Sequence, residues 1–321
     1  MTEAILERLL REESVSGEAL SRELGVTRAA VWKQIERLRA MGVDVRAQGR
    51  GGYRLSALPD TLMAPVINKG LKTVWAGQAI RWLPETDSTN RVAREWAKEG
   101  APHGALVVCD WQKAGRGRRG RTWETPPGEA VAMSVILRPQ AHPSEVSLLS
   151  LAVALACCRA VEDVSGLESR IKWPNDVVCG GRKVSGILLE MDADEQTVHS
   201  VVAGVGINVH QKAFPEEIAK TAGALDPLSG RVLRRADVVR AFLARLEESE
   251  ALRASGALMD AYLARSATVG RPVRVLAPSE TFTGTAEAVT PAGALLVRRE
   301  DGRLCEVLAG DVSVRGLMGY V

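Results

Sequence analysis

Gly115-Arg116-Gly117-Arg118-Arg119-Gly120-Arg121-Thr122-Trp123 is the stretch on which the reading of this chain turns. With Lys113 it gathers five cationic side chains and three glycines, and no acidic residue appears before Glu124. Glycines at this spacing allow positive φ and close backbone approach, so that successive N–H groups can line an anion-binding nest. Arginine adds planar, bidentate donors matched to carboxylate and phosphate. A basic patch of this composition could also serve RNA or stay disordered. Its flanks argue otherwise, because apolar, strand-like runs at 105–111 and 130–137 would hold the loop between buried strands.

Outward from the loop, the chain alternates further apolar runs with polar ends. A helix over 145–164 is apolar on most sides and is expected beneath a sheet. The run Arg170-Ile171-Lys172-Trp173 predicts a strand broken at Pro174, which delivers Asn175 and Asp176 at a strand end, where fixed polar groups serve chemistry. Cys179-Gly180-Gly181 predicts a hairpin turn into a return strand over 183–191, and a Val- and Gly-rich strand over 197–209 carries Asn208. Lys172 and Lys183 would then face one site. Upstream, Glu85-Thr86-Asp87-Ser88-Thr89-Asn90 is a polar cluster at the mouth of a helix, and Ser88 and Thr89 either cap that helix or serve a ligand. Residues 211–223 have few large apolar residues besides Phe214 and Ile218, as expected of a cover. Helical periodicity returns over 236–264. Short strands over 270–314, with turns at 290–293 and 300–302, predict a small antiparallel barrel.

The first 65 residues read differently. Helical patterns over 2–11, 17–24 and 28–41 are punctuated by Ser16 and Thr27 as N-caps and by a turn at Gly25-Val26, the helix-turn-helix pattern whose second helix enters the major groove. Residues 1–21 hold two basic and five acidic residues, whereas 22–54 hold eight basic and three acidic, which puts a positive face on one part of this region. Thr27, Arg28, Lys33, Gln34 and Arg37 are the candidate DNA contacts on the third helix, and Arg50 is the tip of a hairpin wing. Small basic helical domains also serve as plain interaction modules.

Bulk properties fit an ordinary globular protein of two or three domains: 321 residues, 46% hydrophobic and 25% charged. The net charge of +3 is too small to name a partner alone. Five cysteines without a C-x-x-C pair make a poor disulfide framework and point to free thiols in a reducing cytoplasm. The four histidines lack metal-ligand spacing, and no run is long and apolar enough to suggest a membrane span or signal sequence.

The glycine-arginine stretch, followed by Lys172-Trp173-Pro174-Asn175-Asp176, Lys183-x-Ser-Gly-Ile-Leu and Gly204-x-Gly-Ile-Asn208, resembles the biotin protein ligase family, and the extra N-terminal domain resembles its bifunctional members, the biotin operon repressors. The resemblance implies an α+β chain with a winged helix-turn-helix over 1–65, a mixed-sheet biotin/lipoate ligase-like catalytic domain over 66–268, and an SH3-like β-barrel over 269–321. It further implies synthesis of biotinyl-5′-AMP from biotin and ATP with Mg²⁺, then transfer to a lysine of a biotin carboxyl carrier protein. The adenylate would also act as corepressor, with a homodimer binding operator DNA.

By the same resemblance, Lys183, Arg118 and Asp176 carry catalysis, with Asp176 also the candidate Mg²⁺ ligand. Biotin falls to Ser88, Thr89, Asn90, Gln112, Gly115, Arg116, Gly117, Arg118 and Lys183. Arg119, Arg121, Trp123, Lys172, Asn175 and Asn208 fall to the nucleotide. The same residues also admit a ligand-sensing regulator with an inactive ligase domain, and a lipoate or other carboxylate ligase of the same fold.

Overall fold

The computed structural model describes residues 1–49, 52–124, 126–139, 142–277, 280–309 and 313–316. The chain divides into two compact units, Met1–Lys72 with Arg234–Arg240, and Thr73–Leu233 with Ala241–Val321.

In the first unit, α1 (Thr2–Arg11) buries Ile5, Leu6, Leu9 and Leu10. After the two-residue strand β1 (Val15–Ser16), Ser16 accepts a hydrogen bond from Ala19 N and so caps α2 (Gly17–Leu24). That helix ends at Gly25, whose left-handed φ of 64° lets the chain turn. Thr27 then caps α3 (Arg28–Ala40) by accepting from Ala30 N, and Val31, Ile35 and Leu38 face the core. Strands β2 (Val45–Gln48) and β3 (Gly52–Leu55) form the wing, with β1 on the other edge of β3. The predicted wing tip, Arg50, lies outside the described residues. Helix α4 (Ala64–Asn68) follows.

The second unit is built on one seven-stranded sheet. In chain order its elements are β4 (Ile80–Leu83), α5 (Thr89–Lys98), β5 (Leu106–Cys109), β6 (Ala130–Leu137), α6 (Val146–Ser165), β7 (Ser169–Lys172), β8 (Asp176–Cys179), β9 (Arg182–Ala193) and β10 (Val198–Asn208). The strand order is β4-β5-β6-β10-β9-β8-β7, and β4 pairs parallel with β5 while the other pairs are antiparallel. Helix α5 packs Ala93 and Ala97 against Val107, Ile136 and Val202 of the sheet. Small residues let it approach closely, which brings its N-terminus to the sheet. Helix α6 is buried along most of its length, from Leu149 to Val161. Gly180 and Gly181, with φ of 55° and 74°, make the two-residue turn between β8 and β9.

After α7 (Leu225–Ser229), the single helical run expected over 236–264 is two helices, α8 (Arg235–Ser255) and α9 (Leu258–Leu263), separated at Gly256, where φ is 80°. The C-terminal strands β11 (Pro272–Leu276), β12 (Thr281–Val289), β13 (Leu295–Arg299), β14 (Leu304–Val307) and β15 (Ser313–Gly316) correct the expected barrel. They form an open sheet in the order β14-β13-β12-β11-β15, and among the described residues β14 and β15 are its two unpaired edges. Trp173, buried after β7, donates from Nε1 to Gly293 O at 3.1 Å and fixes the β12–β13 turn. No helix is long and apolar enough among the described residues to cross a membrane.

Four thiols sit in this core. Burial pushes those of Cys157, Cys158 and Cys179 up to about 12 and that of Cys109 to about 11. Because the folded state holds their protons more tightly than the unfolded chain, their stabilising contribution is complete below about pH 9 and is lost as pH rises toward 12. Iodoacetamide at pH 8 is therefore expected to label half-buried Cys305 in the native protein and the other four only after denaturation. Mass spectrometry of the labelled sites checks this, and native labelling of Cys157 or Cys158 would contradict it.

Candidate active site and DNA-reading face

A cavity of about 840 Å³ lies on the seven-stranded sheet, and its floor is made by glycine. Side chains on a strand alternate in direction, so Gly204, Gly206 and Asn208 of β10 share one face. Gly186 of β9 lies directly opposite Gly206. With no side chains there, the sheet surface is bare enough for larger groups to lie on it. A Cβ at Gly206 would stand 2.5 Å from the indole of Trp123, one at Gly186 would meet the Lys183 and Trp123 side chains at 3.1 Å, and one at Gly204 would stand 2.1 Å from Asn90 Oδ1. The repeat Gly204-x-Gly206 thus makes room for Asn90 and Trp123.

One end of the cavity is neutral and closely hydrogen-bonded. Gln112 Oε1 accepts from both the backbone N and the hydroxyl of Thr89, at 2.8 and 3.0 Å. Ser134 Oγ lies 2.8 Å from Thr89 Oγ1 and 2.6 Å from Asn90 Oδ1. On its other side Asn90 donates from Nδ2 to Glu190 Oε2 at 2.7 Å. These bonds fix the Asn90 amide and leave hydroxyl and amide groups, not charges, around the space. Ser88 is at the N-cap position of α5 but makes no side-chain capping bond, so its hydroxyl is not engaged in capping. Ser134 and Glu190 were not anticipated. Ser134 carried a readable signal, as the one polar residue in the otherwise apolar run of β6, fully buried.

The other end is cationic. Arg116, Arg118, Arg119, Arg121, Lys172 and Lys183 line the cavity against three carboxylates, Glu124, Asp176 and Glu217, so it favours anions. Lys183 Nζ is 2.6 Å from Asp176 Oδ1 and 5.7 Å from the centre of the Trp123 ring. Lys172 is buried and sits directly across from Asp176 in the β7–β8 pairing. Arg118 donates to Asn175 Oδ1 at 3.0 Å, and Asn175 Nδ2 donates to Ile187 O at 2.6 Å, so Asn175 braces the arginine against β9. Burial lowers the Arg118 pKa, with Asp176 opposing that and Arg121 and Arg119 adding to it. Starting from so basic a group, Arg118 stays charged at neutral pH.

The glycine-arginine loop folds as a small lobe. Trp123 N donates to Gly115 O at 2.8 Å, Gly117 N donates to Arg121 O at 2.7 Å, and Arg116 bridges Thr122 between them. The tip turns through Arg119, whose φ of 58° is the only positive φ outside glycine among the described residues, and through Gly120. Conformational freedom is thus used at Gly120. Gly115 is required for another reason, since a Cβ there would stand 2.3 Å from Trp123 O; it supports the lobe and does not line the cavity. Arg119 turns to Leu276 O at 3.3 Å.

Residues 211–224 border the same cavity through Phe214, Ile218 and Thr221. The segment is anchored at one end: Lys183 N donates to Thr221 O, Gly223 N donates to Lys183 O, and Asn208 Nδ2 donates to Gly223 O at 3.0 Å. Asn208 is therefore an anchor of the cover as well as a wall of the cavity. A protein-built metal cage is not supported, because no cluster of three His, Cys, Asp or Glu that could hold a metal ion occurs among the described residues. Asp176 alone fits a magnesium ion that arrives on phosphate oxygens, which needs only one or two protein carboxylates.

In the first unit, Arg28, Lys33 and Arg37 are exposed on α3, as expected of a DNA-reading face. Thr27 is exposed too, with its hydroxyl used as the cap. Gln34 points elsewhere: its Oε1 accepts from the Thr2 hydroxyl of α1 at 2.5 Å, which holds the two helices together.

A winged helix-turn-helix in one unit and, in the other, a cavity neutral at one end and cationic at the other define a DNA-binding regulator that carries a carboxylate- and phosphate-handling centre. Comparison with known proteins agrees. Residues 82–208 match the biotin/lipoate A/B protein ligase family, residues 2–54 an HTH domain, and residues 268–315 the biotin protein ligase C-terminal domain. The bifunctional ligase/repressor BirA of Bacillus subtilis is 37% identical over 94% of both chains, and that of Escherichia coli is 31% identical over 96% of this chain and 95% of its own. The biotin protein ligase of Aquifex aeolicus, solved in complex with biotin and ATP, is 30% identical with a TM-score of 0.65, covering 74% of this chain and 99% of that one. The chain belongs to the biotin protein ligase family, in its bifunctional ligase/repressor branch.

Proposed function

We infer that the cavity activates biotin with ATP and passes it to a carrier protein, and that the winged helix-turn-helix couples the occupancy of that cavity to DNA binding. The protein is an ATP-dependent biotin protein ligase and a biotin-responsive repressor. The observation that carries the mechanism is the Lys183–Asp176 pair, 2.6 Å apart, beside the braced guanidinium of Arg118. In the first step a biotin carboxylate oxygen attacks the α-phosphorus, the bond to the β-phosphate oxygen breaks, and pyrophosphate leaves. Negative charge concentrates where carboxylate and α-phosphate meet, and fixed cations aimed there lower the barrier. Lys183 bridges the two groups, Arg116 and Arg118 hold the carboxylate side, and Lys172, Arg121 and Arg119 serve phosphate. Trp123 packs along the adenylate.

In the second step a lysine amine of the carrier attacks the acyl carbon, the bond to phosphate breaks, AMP departs and the amine loses a proton. Asp176 orients that amine and is the carboxylate that would hold a Mg²⁺ ion, whose charge would offset that of the ATP phosphates. The neutral end, with Ser88, Thr89, Asn90 and Gln112, takes the uncharged ureido ring, for which an unpaired buried polar atom would cost about 1–3 kcal/mol. The adenylate serves as corepressor: a homodimer formed in its presence sets two helix-turn-helix units on the half-sites of an operator. The cytoplasm suits a protein with five unpaired cysteines.

The test is incubation with biotin, MgATP and a biotin carboxyl carrier domain, followed by intact-mass analysis. One biotinyl group on one lysine is expected, and lipoate in place of biotin is expected to give none. Absence of labelling would favour a regulator without ligase activity.

A further inference from the structure

Trp32 is the only aromatic side chain among the described residues that is strongly exposed, at 57%. It lies in the second turn of α3, the helix that follows the Gly25 turn, with Arg28 one turn before it, Lys33 beside it and Arg37 a turn and a half beyond. Core residues Val31, Ile35 and Leu38 form a stripe about 90° around the helix from Trp32, which stands on its flank with the indole turned to solvent. A bare indole on a surface favours aggregation and brings no benefit unless something covers it. What would cover it has to be apolar where it meets the ring and anionic around it, because the neighbours are cationic and residues 22–54 carry eight basic against three acidic side chains.

Duplex DNA presents that combination in the major groove, where phosphates flank the one apolar group on the base edges, the 5-methyl of thymine. Base contacts in helix-turn-helix proteins come from the N-terminal part of the recognition helix, and Trp32 is the fifth residue of α3. We propose that Trp32 is a specificity-determining residue that packs its indole on a thymine methyl in each half-site, while Arg28, Lys33 and Arg37 bind the surrounding phosphates. The inference rests on the DNA-binding reading above and adds which base this chain selects and by what contact. Lysine and arginine give affinity that depends on salt and little on sequence, whereas the indole contributes a term that depends on one methyl group.

The test uses the full chain with biotin and MgATP. Duplexes are first selected from a random-sequence pool, and each thymine of the selected site is then replaced singly by uracil, which removes only the methyl. With the native protein, uracil at one thymine position per half-site is expected to weaken binding about fourfold, the loss on withdrawing one methyl-sized group from apolar contact. Trp32→Ala is expected to bind the parent site more weakly and to be indifferent to uracil at that position. Trp32→Phe is expected to keep part of the response. Arg37→Ala, by contrast, is expected to lower the salt dependence by about one phosphate contact and to keep the full uracil response. Identical uracil profiles for the native protein and Trp32→Ala would overturn the assignment even though DNA binding stands. If no duplex is selected at all, the DNA-binding reading falls and the assignment with it.

Discussion

Lys183→Ala is expected to slow synthesis of biotinyl-5′-AMP by about 10²–10³-fold, as found when one preorganised donor is removed from the site of developing charge. The size of the effect comes from two consequences of one deletion. The ammonium that bridges carboxylate and α-phosphate disappears, and Asp176 loses the partner that stands 2.6 Å away. The Asp176 carboxylate, without the ammonium that offsets its charge, then stands beside incoming phosphates, where like charge disfavours binding and reaction alike. Arginine should rescue poorly, because a planar, delocalised guanidinium does not reproduce the compact ammonium that stands 2.6 Å from Asp176 Oδ1. Biotin-dependent release of pyrophosphate measures the step without the carrier protein. A single variant within twofold of the native rate would remove Lys183 from the mechanism.

Much of this site could be read from the chain because its chemistry is crowded into short runs. Arg116 and Arg118, Lys172 and Asp176, and Lys183 stand at or near strand ends or in the loop between strands, and the sheet brings those ends together. What escaped notice depends on partners distant in sequence. Glu190 meets Asn90 across 100 residues, and Ser134 meets Thr89 across 45. The barrel was overdrawn for the same reason: alternating strands over 270–314 look alike whether the sheet closes or stays open, and closure depends on whether β14 finds β15. On α3, Gln34 was placed with the outward basic side chains by the helical period alone, yet α1 packs against it, where Thr2 donates to Gln34. The long helix was divided at Gly256, where a left-handed φ outweighs the apolar period on either side.

Gly204→Ala should damage recognition of biotin while largely sparing the chemical step. The added methyl carbon would stand 2.1 Å from Asn90 Oδ1 and 2.8 Å from its Cγ, closer than any real contact, so the amide must leave its place. Asn90 cannot move without losing its bonds with Ser134 at 2.6 Å and Glu190 at 2.7 Å. Each lost bond in a buried setting costs about 1–3 kcal/mol, and the Glu190 carboxylate loses the amide donor that Asn90 supplies. The expected result is a KM for biotin raised about 100-fold, with kcat at saturating biotin within about threefold of native, because neither Lys183 nor Arg118 touches Asn90. Gly206→Ala offers the contrast on the same strand. Its methyl would collide at 2.5 Å with Trp123, which packs by Lys183, and kcat should fall with it. Initial rates across biotin concentrations for the two variants distinguish these patterns. A Gly204→Ala enzyme with native KM would mean that Asn90 can be displaced at no cost to biotin, and the neutral end of the cavity would no longer be where the ring is held.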